Sequence, residues 1–139
     1  MALWVYAPGF VDYDLSVDHC CDLTGIKLQM TPKQWGAHSY ISNFDHPVTT
    51  SLPTATVWGT EMRLGPLFTV ADPDSITLGT VVINQGRCEP GLAIHETPDW
   101  TSVFSAAPNL PPNLLRELAR YAGVQLYGDS DDVMYAAHN

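Results

Sequence analysis

The chain has 139 residues, 45% hydrophobic and 15% charged, the composition of one globular domain with room for a core and not of a disordered tail. Its formal net charge of −9 leaves six Lys and Arg to neutralise phosphates, which argues against nucleic acid or an anionic membrane as a partner. No apolar run approaches the roughly 20 residues of a bilayer span, and the apolar start of the chain meets Asp12 and Asp14 without a basic flank, so it does not read as a signal peptide.

Leu3 to Tyr6 is a continuous apolar run of the kind buried in a parallel sheet, and Ala7-Pro8-Gly9 ends it. A short helix is expected over Ser16 to Thr24, with Ser16 as cap, Leu15 and Cys20 as a staple across it, and Gly25 past its end. Ile26, Leu28 and Met30 alternate with Lys27 and Gln29, which predicts a strand with one wet face. From Thr31 to Leu67 four prolines interrupt the pattern, and only Tyr40-Ile41 and Thr56-Val57-Trp58 suggest short strands. Leu67 to Ala71 and Ile76 to Ile83 read as strands about an Asp72-Pro73-Asp74 turn, and a hairpin return leads into Leu92 to His95.

The stretch from Trp100 to Tyr127 organises this reading. Thr101 to Ser105 is a strand, and Pro111-Pro112 opens a helix whose Leu114, Leu115, Leu118, Ala119 and Ala122 gather on one face. Past Gly123, Val124 to Tyr127 restarts as an extended run, and Val133 to Ala136 as another. Strand, covering helix and strand form a βαβ crossover with parallel pairing. The fold class expected is therefore α/β: a largely parallel sheet including the strands at Leu3, Thr101 and Val124, flanking helices, and a β-rich insertion between Thr31 and His95, all in one domain over 1–139. The strands close to both termini suggest a fragment of a larger fold.

The stretches W-V-Y-A-P-G, D-L-T-G-I, G-P-L-F-T-V-A-D-P-D, W-T-S-V-F-S-A-A-P-N-L-P-P-N-L-L-R-E-L-A-R-Y-A-G-V-Q-L-Y and D-D-V-M-Y-A resemble the C-terminal region of bacterial β-galactosidase-type glycoside hydrolases. That region is similar to the flavodoxin-related, glutamine-amidotransferase-like domain that helps β-galactosidases to form trimers. The resemblance implies an incomplete domain of this kind, non-catalytic and engaged in oligomerisation, since the hydrolytic carboxylates of such enzymes lie on a separate barrel. No G-x-C-x-G elbow of an amidotransferase occurs here. Self-association is the partnership expected.

The alternative is a small glycosidase. Its chemistry needs two carboxyl groups about 5–5.5 Å apart for retention or about 6.5–9.5 Å for inversion. If the loops after Tyr6 and Ser105 share the crevice beyond the strand ends, Asp12 and Asp14 are the catalytic candidates, with Tyr6, Phe10, Tyr13 and Asn109 as a surface for a carbohydrate ligand. Asp45-His46 and His95-Glu96 place a histidine beside a carboxylate, which adds Asp45, His46 and Glu96 as acid or base candidates. Trp35, Trp58 and Trp100 read as core or interface residues. Asp129, Asp131 and Asp132 lack the closing glutamate of a calcium loop, and Cys20, Cys21 and Cys88 lack metal-ligand spacing, so no metal or cofactor is expected. An odd cysteine count points to reduced thiols and a cytoplasmic chain.

Overall fold

The structure is a computed structural model in which residues 1–83 and 86–128 are described. Eight strands and two helices follow in the order β1 (Ala2–Val5), α1 (Val17–Thr24), β2 (Leu28–Thr31), β3 (Trp35–Ile41), β4 (Val57–Leu64), β5 (Leu67–Val70), β6 (Ile76–Ile83), β7 (Arg87–Glu96), β8 (Thr101–Ser105) and α2 (Pro112–Tyr121). Six strands form one sheet in the order β1-β8-β7-β6-β3-β4, and β2 pairs with β5 in a second, two-stranded sheet. Within the large sheet β1 and β8 are the parallel pair, Leu3 beside Val103 and Trp4 beside Phe104, and the other four pairings are antiparallel. This is a mostly β, curled mixed sheet, and it overturns the α/β, largely parallel, flavodoxin-like architecture expected from the sequence.

Two local causes account for the difference. The run Val124 to Tyr127 is not a strand: the amides of Ala122, Gly123 and Val124 are taken by the carbonyls of Leu118, Arg120 and Ala119, so the helix end winds down through it. Val124 and Tyr127 are left exposed, and among the described residues no strand follows α2 to complete a βαβ crossover. The supposed insertion is the body of the sheet, because β3, β4, β6 and β7 all join β8. Consecutive buried residues such as Leu92, Ala93 and Ile94 arise on an antiparallel strand covered on both faces, a pattern that mimics a parallel one. Val133 to Ala136 lies outside the described residues.

The curl follows from side chains that span the sheet. Ser39 on β3 sits opposite Trp58 on β4 and Val81 on β6, and the Trp58 indole donates to Ser105 Oγ on β8 at 3.3 Å. Strands four places apart in the sheet order are thereby brought together over a core of Trp58, Val81, Leu92 and Val103. Gly59 permits this. Its φ of +136° accompanies the register shift between β3 and β4, and an added Cβ would lie 1.9 Å from the Ala37 carbonyl oxygen.

On the other face α1 is welded to the parallel pair. Its N-cap Ser16 accepts from Asp18 N and Gly25 takes the left-handed position, as the sequence predicts. Thr24 is fully buried; its hydroxyl donates to Cys20 O, its carbonyl accepts from Ser102 Oγ, and Ser102 Oγ accepts from the Trp4 indole. Strand β5 is buried at all four residues between β2 and β7. The amphipathic spacing of α2 holds where it matters most, with Leu114 and Leu118 buried, whereas Leu115 is exposed.

Candidate functional site

The chain leaves β1 through Tyr6, whose φ is +67°, and whose amide donates to Ser105 O at 2.8 Å. Its phenol donates to Pro66 O at 2.8 Å, and its ring meets Phe68 edge-on with centroids 5.8 Å apart. Phe10 packs on the same Phe68 ring at 5.0 Å. Two of the three aromatics of the expected sugar surface, Tyr6 and Phe10, are therefore spent on anchoring this loop to β5. Burial pushes the Tyr6 phenol up, and the backbone of the 65–66 turn opposes that in part.

From this anchor residues 10–16 rise as a narrow finger. Val11 and Leu15 face each other in an antiparallel bridge, Asp12 N donates to Asp14 O at 3.2 Å, and Ser16 N donates to Phe10 O at 3.3 Å. Asp14 reaches back to His19 Nε2 at 3.4 Å, which braces the finger against α1. The apolar residues of the finger are outside: Val11 is 75% exposed, Leu15 68% and Tyr13, at the tip, 100%. Leu23, 44% exposed, stands beside the finger's base at Gly9. Leu15 therefore does not staple the cap of α1; it belongs to the finger's outer surface.

Asp12 and Asp14, the first catalytic candidates, lie on this finger in open solvent, not in a crevice. Asn109 is remote in role. It takes a left-handed φ of +60° and donates to Gly59 O at 3.1 Å, tying the connection after β8 to β4. The expectation that the loops after β1 and β8 leave the same end of the sheet is met by their parallel pairing, yet the first builds the finger and the second closes the curl.

A second cluster joins two candidates that are distant in sequence. His46 is 9% exposed; its Nδ1 accepts from Val48 N at 3.2 Å, which places the imidazole proton on Nε2, and its carbonyl caps the following turn through Thr49 N and Thr50 N. Its ring lies 5.2 Å from that of Tyr121 on α2, and the Tyr121 phenol donates to Glu96 Oε1 at the end of β7. Burial holds the His46 imidazole below its ordinary value, with the Glu96 carboxylate pulling the other way. The hydrogen bond to Glu96, then burial, pushes the Tyr121 phenol up. Asp45 stays on the surface, its amide bonded to Asn43 Oδ1.

Family models, curated proteins and solved structures offer no match to this chain. His95 and Glu96 do not act together: they oppose Ser102 and Thr101 on β8, so they point to opposite faces of the sheet. His95 Nδ1 lies 3.4 Å from Asp72 Oδ2, and Glu96 belongs with Tyr121. Glu96 is thus paired with a phenol, where glycoside hydrolysis would need a second carboxyl group. Among the described residues no group of three or more His, Cys, Asp or Glu side chains is placed to hold a metal, and all three cysteines are free thiols.

Sequence reading missed Tyr121, because a tyrosine at the end of an amphipathic helix looks like its neighbours until β7 is set beside it. It also took Leu15 for the staple of the α1 cap and left Val11 unread; their spacing about Asp12-Tyr13-Asp14 was the available sign of a hairpin.

Proposed function

We propose that this chain is a non-catalytic association domain of a carbohydrate-active enzyme, joining copies of itself into a larger assembly. One observation carries the role: a finger closed by its own backbone hydrogen bonds that presents Val11, Tyr13 and Leu15 to solvent. An ordered loop loses little freedom on docking, and a tyrosine at its tip is a common anchor of protein interfaces. The carbohydrate setting rests on the sequence resemblance, without the flavodoxin-like fold that went with it. A cytoplasmic setting accompanies the proposal through the three free thiols; no helix among the described residues is long and apolar enough to cross a membrane.

Light scattering on the purified chain across a wide concentration range tests this. The expected result is a mass rising to a fixed multiple of the monomer, reduced by Tyr13→Ser. A monomer at every concentration refutes the role. Assayed against nitrophenyl glycosides, the chain is expected to show no turnover that Asp12→Asn, Asp14→Asn or Glu96→Gln abolishes.

A further inference from the structure

Charge is segregated on the side of the molecule that bears the finger. Residues 1–26 contain Asp12 and Asp14 on the finger, Asp18 and Asp22 on α1, and no Lys or Arg, and all four aspartates are exposed. Lys33, in the turn between β2 and β3, and Arg63, near the end of β4, are exposed as well. Trp35 and Leu64 pair across β3 and β4, so the two cations lie at the same end of the sheet, with Met62 beside them 71% exposed. Neither Lys33 nor Arg63 makes an ion pair or side-chain hydrogen bond within the described residues, while the neighbouring Glu61 is held by His38 at 3.3 Å.

From this segregation we infer that the partner of the finger is the Lys33–Met62–Arg63 turn of a second copy of the chain. The inference rests on the association role proposed above and names its surface. The acidic finger with its apolar knobs matches the end of the sheet that carries the exposed Lys33, Arg63 and Met62, where Glu61 is held by His38, and complementary charge fixes which faces meet. The two surfaces share a root: Phe10 packs on Phe68, Tyr6 bonds Pro66, and Thr31, two residues before Lys33, pairs with Leu67. Both therefore stand on one side of the molecule, where a two-fold axis lets each finger engage the other copy's turn, as an isologous contact requires. A total charge of −9 would repel two copies docked at random, and this arrangement brings opposite charges together.

Charge exchange tests it. Asp12→Lys/Asp14→Lys and Lys33→Glu/Arg63→Glu alter exposed side chains and leave the core intact, with circular dichroism as the control for folding. Each variant alone is expected to associate about tenfold more weakly than the wild type or worse, by like-charge contact. An equimolar mixture should recover the wild-type mass, since each altered finger then meets an oppositely altered turn. If wild type associates and the turn variant associates equally well, the finger docks elsewhere and the inference fails while the association role stands. If the wild type is monomeric throughout, both fail. Recovery by the mixture at low salt that fades as salt is raised supports the complementary charge directly.

Discussion

Substitution of Gly59 by alanine is the sharpest probe of the curl. The residue holds φ at +136°, where an L side chain is strained by about 1–3 kcal/mol, and its new Cβ would stand 1.9 Å from the Ala37 carbonyl oxygen and 2.9 Å from the His38 Cα. Both neighbours are backbone of the paired strand, so relief requires β3 and β4 to separate, with a further overpacking cost of about 1–3 kcal/mol. Together these predict a loss of roughly 2–6 kcal/mol, a large part of the stability of a domain of this size. Gly123→Ala serves as the control. Its φ is +74°, nothing lies within 4 Å of an added Cβ, and the expected loss is only the left-handed cost of about 1–2 kcal/mol. Urea unfolding followed by tryptophan fluorescence reads both, and Trp58 on the same strand reports the opening of the curl. If Gly59→Ala loses no more than Gly123→Ala, the close approach of β3 and β4 is not a constraint and the account of the curl is wrong.

Leu118→Ala on α2 is expected to cost about 2–5 kcal/mol, because Leu118 is 2% exposed, and Leu115→Ala, on the exposed side of the same helix, under about 1 kcal/mol; equal losses in thermal unfolding would mean that the helix docks by another face. The His46 imidazole is held below its ordinary value, so the unfolded chain takes up that proton first. Its contribution is complete above about pH 6.5 and is lost as pH falls through the folded value. A series of urea midpoints against pH should fall below that point in the wild type and lose this component in His46→Phe. An unchanged slope in the variant would show that burial of this imidazole does not contribute to the loss of stability on the acid side.

Much of the local structure is legible in the sequence because it depends on neighbours along the chain. Ser16, Gly25 and the Pro111-Pro112 pair announce the ends of α1 and α2, and the Asp72 turn forms with Asp74 N on Asp72 Oδ1. What the sequence conceals is pairing. Val124 to Tyr127 has strand-like composition, but the carbonyls at the end of α2 compete for its first amide and win. Tyr40-Ile41 and Val57-Trp58 show only the last residues of β3 and the first of β4; most of the others, such as Gly36, His38, Ser39, Gly59 and Thr60, are small or polar and become strand by joining a sheet. The same holds for the site. Tyr6 and Phe10 are aromatic for the sake of Phe68, a fact visible only once β5 is placed, and His46 meets Tyr121 across 75 positions of chain.

The lateral partnership of Ala2–Val5 with Ser102–Ser105 bears on how the chain is made. At ribosomal speeds of about 5–20 residues per second, the first strand waits roughly 5–20 s for its neighbour to be synthesised. During that interval Leu3, Trp4 and the amides beside them have no native mate, while the hairpins of β3, β4 and β6 can already close. Of the eight strands the first to be synthesised is thus among the last to be seated, and it is the segment that a chaperone would most usefully hold.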